Sequence, residues 1–117
     1  MQTIKVTPPA TLALILATSQ YKPKSNAEFY DAHAITKAMR PLFEERINGD
    51  RAGITATFPT GETRDLMLES SAFRLLKTAF EAARDGGTVY TFAQAEMVVA
   101  ADEALKGSTN GTPDPVK

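Results

Sequence analysis

The sequence predicts an α+β fold in which about four helices pack on a small antiparallel sheet. Apolar residues alternate at 54–58 and again at 64–68 around a turn that contains proline and glycine, which predicts a β-hairpin. Other stretches carry helix-start residues followed by apolar residues at helical spacing. The 117 residues are 43% hydrophobic and 23% charged, which is typical of one globular domain. We expect that domain to span residues 1–106, followed by a disordered C-terminal tail at 107–117.

The N-terminal residues predict a strand followed by a buried helix. Residues 2–6, QTIKV, alternate between apolar and polar side chains, as a short strand does. Thr7 before Pro8 and Pro9 predicts a helix start, because threonine caps well and proline is tolerated in the first turn. The helix over 10–21 is apolar nearly all round, so we expect it to be buried.

A second helix is predicted to begin at a capping box formed by Ser25 and Glu28. Its apolar residues form an i, i+4 ladder with two more beside it: Tyr30, Ala34, Ala38 and Leu42, then Ile35 and Met39. Pro41 must either kink this helix or split it. The stretch 41–47, PLFEERI, is predicted to add one or two helical turns before Asn48-Gly49 ends the helix.

The predicted hairpin has a defined register and a defined buried face. Its large apolar residues are all at even positions, so an odd-numbered loop is needed to place them on one face. Ala56 would then lie opposite Leu66. The opposite face, which we expect to meet solvent, carries Thr55, Thr57, Asp65 and Met67.

Two more helices complete the predicted fold. Ser70 or Ser71 caps the first, which ends at Gly86-Gly87. Residues 88–92 are either a short strand or the entry to the last helix, 93–106, for which Thr91 and Gln94 form a capping box. That helix is apolar beyond one stripe, which suits deep burial or a dimer interface. The residues predicted to be buried are Phe58, Leu66, Leu68, Phe73, Leu76, Phe80 and Val98.

Several chemistries are disfavoured by the residues present, so we predict no catalytic, cofactor or metal site. The chain has no cysteine, which excludes thiolate nucleophiles, disulfides and cysteine-ligated metals and fits a cytoplasmic protein. His33 is the only histidine and has no partner at metal-ligand spacing. The carboxylate pairs Glu44-Glu45 and Asp102-Glu103 diverge on a helix. The apolar run at 10–17 is too short to span a membrane.

Two alternative functions remain open from the sequence. The element order is similar to that of a winged helix-turn-helix regulator, with 41–47 as the recognition helix and the hairpin as the wing. DNA binding is disfavoured, because the net charge is -1 and residues 51–69 carry two arginines against three acids. An enzyme with an unrecognised site built from scattered residues is the second alternative.

The expected function is a non-catalytic protein-interaction or regulatory module, of the small accessory or phage type. The expected partner is another protein, and a homodimer through the last helix is one form of this interaction. The residues predicted to contact a partner are Lys22, Lys24, Arg51, Thr55, Thr57, Arg64, Met67 and Met97.

Overall fold

The α+β class is confirmed by a computed structural model, which describes residues 1–86 and 92–110. The described elements are β1 (Gln2–Val6), α1 (Pro8–Gln20), α2 (Asn26–Met39), β2 (Phe43–Asn48), β3 (Arg51–Ala56), β4 (Arg64–Leu68), α3 (Ser70–Arg84), α4 (Phe92–Lys106) and β5 (Thr109–Asn110). A single 3₁₀ turn, Arg40–Leu42, connects α2 to β2. Residues 88–91, which include the predicted cap Thr91, lie outside the described residues.

The central sheet is antiparallel and has the strand order β4-β1-β5. Strands β1 and β4 pair so that Ile4 lies opposite Leu66 and Lys5 lies opposite Asp65. The even-numbered apolar side chains of both strands point into the core, and Ile4, Val6, Leu66 and Leu68 are all buried. The odd-numbered side chains face outward, where Lys5 Nζ lies 3.1 Å from Asp65 Oδ1. Strand alternation therefore closes one face of the sheet over the helices.

A second, two-stranded sheet is formed by β2 and β3, which pair with Phe43 opposite Ala56 and Asn48 opposite Arg51. We call residues 43–56 the arm. Gly49 and Asp50 make its turn, and Gly49 has φ +67° while Asp50 keeps a negative φ. These φ signs are those of a type II′ turn, in which glycine is favoured at the first central position.

The predicted pairing of 54–58 with 64–68 is corrected by these registers. Strands occupy both segments, but β3 pairs with β2 and β4 pairs with β1. The reason is that Asn48-Gly49 makes a tighter local turn than 59–63, and β1 offers β4 an alternating partner. The predicted burial of Phe58, Leu66 and Leu68 is nevertheless confirmed. For Leu66 and Leu68 it follows from strand alternation, whichever strand is the partner, while Phe58 lies just after the end of β3.

The prediction of a helix over 41–47 is wrong. Helix α2 ends at Met39, and Pro41 lies in the 3₁₀ turn, after which the chain is extended from Phe43. Proline cannot donate the helical hydrogen bond and ends the helix before it. Asn48-Gly49, which we interpreted as a helix stop, is instead part of the hairpin turn of the arm.

The helix caps follow the predictions in part. Thr7 Oγ1 accepts a hydrogen bond from Ala10 N at 3.3 Å, and Ser25 Oγ accepts one from Glu28 N at 3.2 Å. The predicted serine cap of α3 is wrong, because Glu69 occupies the N-cap position and makes no side-chain cap bond. Ser71 Oγ instead donates to Asp31 Oδ1 at 3.1 Å and so joins α3 to α2.

The core lies between the central sheet and the helices, with α1 in the middle of the helical layer. As predicted, α1 is buried over most of its circumference, and it packs against α3 and α4. Leu76 and Phe80 are buried as predicted. Phe73 and Val98 are only partly buried, so the prediction that they are buried is wrong. Both pack against the core cluster as partly buried residues.

The C-terminal residues correct one further prediction. Thr109–Asn110 lies inside the predicted disordered tail but forms β5, which pairs with Gln2 and Thr3 of β1. Residues 111–117 lie outside the described residues.

Across the described ranges, no helix combines the length and the apolar character needed to cross a bilayer.

Candidate interaction surface

Helix α2 has a buried aliphatic face and an exposed aromatic face. Ile35 and Met39 are fully buried on the inward face. On the outward side, Phe29 is 61% exposed and Tyr30 is 70% exposed. The predicted ladder that began at Tyr30 and Ala34 is therefore not the buried face of this helix.

The rotation of α2 follows from the chemistry of its side chains. Tyr30 and Ile35 are both large and apolar, and they lie on opposite sides of the helix. Ile35 and Met39 carry no group that needs a hydrogen-bond partner in the core, whereas a buried tyrosine hydroxyl does. The aliphatic pair therefore packs inward against α3 and β4, and the aromatic pair is left outside.

The two exposed aromatic rings contact each other. Their centroids are 5.9 Å apart and the ring planes meet at 78°, an edge-to-face arrangement. Aromatic side chains are enriched at protein–protein interfaces, where they supply a large contact area at a low cost in conformational entropy. A neighbouring pair of them on one helix face is thus the feature that most favours docking of a partner.

Cationic groups continue the same side of α2 toward its C-terminus. We define the aromatic face by its residues, which are exposed and lie on one side of the helix: Phe29, Tyr30, His33, Lys37 and Arg40. Arg40 Nη1 lies 4.0 Å from Glu45 Oε1, and its guanidinium is 5.3 Å from the centre of the Phe43 ring. Arg40 is therefore held at the junction between the aromatic face and the arm.

The carboxylates of α2 itself are turned away from this face and are bonded elsewhere. Glu28 Oε1 accepts hydrogen bonds from the Tyr21 hydroxyl at 3.0 Å and from Lys24 N at 2.8 Å. Burial, together with the Glu28 carboxylate, raises the pKa of the Tyr21 phenol. Asp31 accepts from Ser71. The aromatic face consequently presents positive charge without a compensating acid from its own helix.

The two predicted contact residues in the α1–α2 loop line a surface hollow beside α1 and α3. Lys22 and Lys24 are exposed, and they immediately precede the Ser25 cap of α2. On β3, Thr55 is exposed on the polar side of the arm and Arg51 is the first residue of the strand. These four positions thus divide between the α1–α2 loop and the arm.

The remaining predicted contact residues are not brought together. Thr57 closes the root of the arm, with its hydroxyl donating to Pro41 O at 2.7 Å. Arg64 pairs with Glu62 at 2.9 Å and lies over the Phe58 ring. Met67, 53% exposed, is on the outer face of the central sheet. Met97 is partly buried, so the predicted set does not define one surface.

Met97 lines a cleft of about 180 Å³ between α1, α3 and α4. Leu16, Phe80 and Val98 contribute apolar walls. At its edge, Arg84 donates to Asp102 at 3.3 Å and to Asp85 at 2.9 Å. The charged groups at the edge of the cleft are therefore engaged in ion pairs within the protein.

No group of three or more histidine, aspartate and glutamate side chains in the described part of the chain is arranged to hold a metal ion. His33 lies on the exposed aromatic face instead.

No protein-family model matches the chain, and neither a curated protein nor a solved structure matches it. The assignment of a function therefore depends on the geometry of the residues described above.

Proposed function

We propose that this protein is a non-catalytic interaction module that docks on another protein through the aromatic face of α2. The observation that carries the proposal is the exposure of Phe29 and Tyr30 on a helix whose opposite face is locked into the core. Because the inward face fixes the rotation of α2, the two rings are presented to solvent without any rearrangement. Preorganised aromatic anchors of this kind supply most of the binding free energy in many interfaces.

A protein partner is favoured over duplex DNA by the charges of the arm. The segment proposed as a DNA-recognition helix is largely strand β2. Across residues 43–56, the acids Glu44, Glu45 and Asp50 oppose only Arg46 and Arg51, which gives a net charge of -1. An arm that followed phosphates would need the opposite balance. The absence of cysteine supports placing this interaction in the cytoplasm.

The test is affinity capture from a lysate of cells that naturally express the protein, with three forms of the bait. The wild type is compared with Phe29→Ser/Tyr30→Ser and with Met67→Ser, a control that removes an exposed apolar residue from the central sheet. Loss of two anchors of about 2 kcal/mol each is expected to weaken binding by about two to three orders of magnitude. The Met67→Ser bait should retain the wild-type partners.

Retention of the same proteins by all three baits would reject the aromatic face as the docking surface. Duplex DNA provides the competing outcome. Tight binding of DNA at low salt that collapses steeply as salt is raised would favour the DNA-binding alternative. Failure of DNA binding together with selective loss of a protein by Phe29→Ser/Tyr30→Ser would support the module proposed here.

A further inference from the structure

Helix α4 carries an exposed face of opposite character to the aromatic face of α2. Val99 is 56% exposed, and it lies between Glu96 and Glu103 on the outward side of the helix. Ala95 and Ala100 complete a shallow apolar hollow beneath these three side chains. We call Glu96, Val99 and Glu103 the acidic face. Within the described residues, neither glutamate takes part in an ion pair.

The aromatic and acidic faces match in spacing as well as in charge. Tyr30, His33 and Lys37 follow one another at i, i+3 and i+7, and the residues of the acidic face have the same spacing. Both stripes are therefore about 10 Å long on an α-helix. With the helices side by side in either direction, Lys37 meets one glutamate and the Tyr30 hydroxyl meets the other. Val99 then lies at the middle of the contact, against the ring of His33.

We infer that the occupant of the aromatic face is a second copy of this chain, bound through its acidic face. This inference rests on the proposed function and names the partner of the same surface. The contact joins two different surfaces, α2 of one copy and α4 of the next, so it is heterologous. A heterologous contact leaves one free face at each end and extends into a chain or closes into a ring.

Charge explains why the contact joins unlike faces. Two acidic faces brought together would oppose glutamates to glutamates in either direction, and two parallel aromatic faces would oppose Lys37 to Lys37. Two antiparallel aromatic faces would set Lys37 against the neutral Tyr30 hydroxyl and would form no ion pair. Like charges placed directly opposite one another destabilise a contact, whereas the α2–α4 arrangement sets Lys37 against one glutamate and the Tyr30 hydroxyl against the other. The two helices also have different neighbours within the molecule, since α2 packs mainly on α3 and α4 packs mainly on α1.

The expected association is weak and sensitive to salt. One pair of helices buries less surface than a standard stable interface, and exposed ion pairs contribute little each. Screening by salt acts on the glutamates and on Lys37, while the contact of Val99 with the rings persists. Assembly should therefore grow with protein concentration and weaken several-fold between about 0.05 and 0.5 M salt.

The test uses the purified full chain in sedimentation velocity over a range of concentrations. Two variants each disrupt one face and are called silenced for that face. Phe29→Ser/Tyr30→Ser removes the rings of the aromatic face on α2, and Glu96→Lys/Glu103→Lys reverses the charges of the acidic face on α4. Each alone should lower the association constant at least about tenfold. Lys77→Glu, which reverses an exposed charge on α3, is the matched control and should assemble as the wild type does.

Mixing the two silenced variants gives the decisive measurement. The intact acidic face of the first variant can bind the intact aromatic face of the second. The mixture should thus form a one-to-one dimer that grows no further, although each variant alone stays monomeric. A symmetric dimer through α4 alone would give a different result, because the α2-silenced variant would dimerise without any partner.

A wild-type protein that stays monomeric at every concentration would overturn the inference, as would a mixture that forms no dimer. The proposed function is tested independently of this result. If the protein is monomeric but Phe29→Ser/Tyr30→Ser still abolishes capture of another protein, only the self-association is wrong. If that variant changes neither measurement, the aromatic face is not a docking surface at all.

Discussion

In the central sheet, Lys5 and Asp65 lie opposite each other although 60 residues separate them in sequence. In the arm, β2 and β3 are joined by a two-residue turn. The central sheet buries four apolar side chains of one face against the helices, namely Ile4, Val6, Leu66 and Leu68, whereas in β2 only Phe43 is buried and the rest of the strand is exposed. The paired strands β1 and β4 are similar in length to β2 and β3, but the two sheets are held by different interactions.

Because of this difference, the strand register is specified by a different feature in each sheet, and the two sheets should differ in stability. In the central sheet the register is specified by burial, since a shift of one residue would turn Ile4 and Leu66 to solvent. In the arm it is specified by the turn at Gly49. The central sheet should open only when the core unfolds, while the arm can open locally.

The largest expected effect contrasts a buried residue of the central sheet with an exposed residue of the arm. Leu66→Ala removes a side chain that is 1% exposed, and should lower the free energy of unfolding by about 2–5 kcal/mol through the cavity it leaves. Ile47→Ala removes one that is 80% exposed near the tip of the arm, and should change stability by less than about 0.5 kcal/mol. Urea denaturation of both variants measures the contrast. Comparable losses in the two would mean that the arm packs on the core along its whole length.

Local sequence patterns predicted much of the central sheet but not its pairing. The alternation in β1 and β4 was enough to assign the buried side chains, and Thr7 and Ser25 were recognised as caps from residue chemistry alone. The partner of each strand was not predictable in the same way. Pairing β1 with β4 depends on a contact between residues that are 60 positions apart at Lys5 and Asp65, which local periodicity does not encode.

The aromatic face was missed for a related reason. Helix α2 carries apolar residues on two opposite sides, so its sequence allows either side to be the buried one. The choice was made by packing of Ile35 and Met39 against α3 and β4. The useful signal was the hydroxyl of Tyr30, which favours the solvent side over an aliphatic alternative. Candidate contacts chosen for exposure alone, such as Met67, were placed on unrelated surfaces.

A smaller effect tests whether the arm opens on its own. Gly49→Ala forces a residue with a Cβ to adopt the φ of +67° found in the turn, which costs about 1–2 kcal/mol. Hydrogen exchange of the β2 and β3 amides should rise roughly tenfold, while the protection of β1 and β4 stays unchanged. Gly53→Ala is the matched control, because an added Cβ there meets nothing within 4 Å and the φ is not positive. Equal loss of protection in both sheets would show that the arm and the core unfold together.

The smallest effect concerns acid sensitivity, which we expect in the helical body rather than in the arm. Hydrogen bonding from Lys106 and the nearby charge of Arg84 hold the pKa of Asp102 below its ordinary value. A carboxyl group with a lowered pKa in the folded state stabilises the protein above its unfolded pKa, and this stabilisation is lost as the pH falls through the folded pKa. Asp102→Asn should therefore flatten the decline in unfolding free energy below about pH 4. Glu44→Gln, at an exposed carboxylate of the arm, is the control and should leave the decline as it is in the wild type. Identical acid profiles for Asp102→Asn and the wild type would mean that the ion pairs of Asp102 contribute no stability, and the contrast between body and arm would then rest on burial alone.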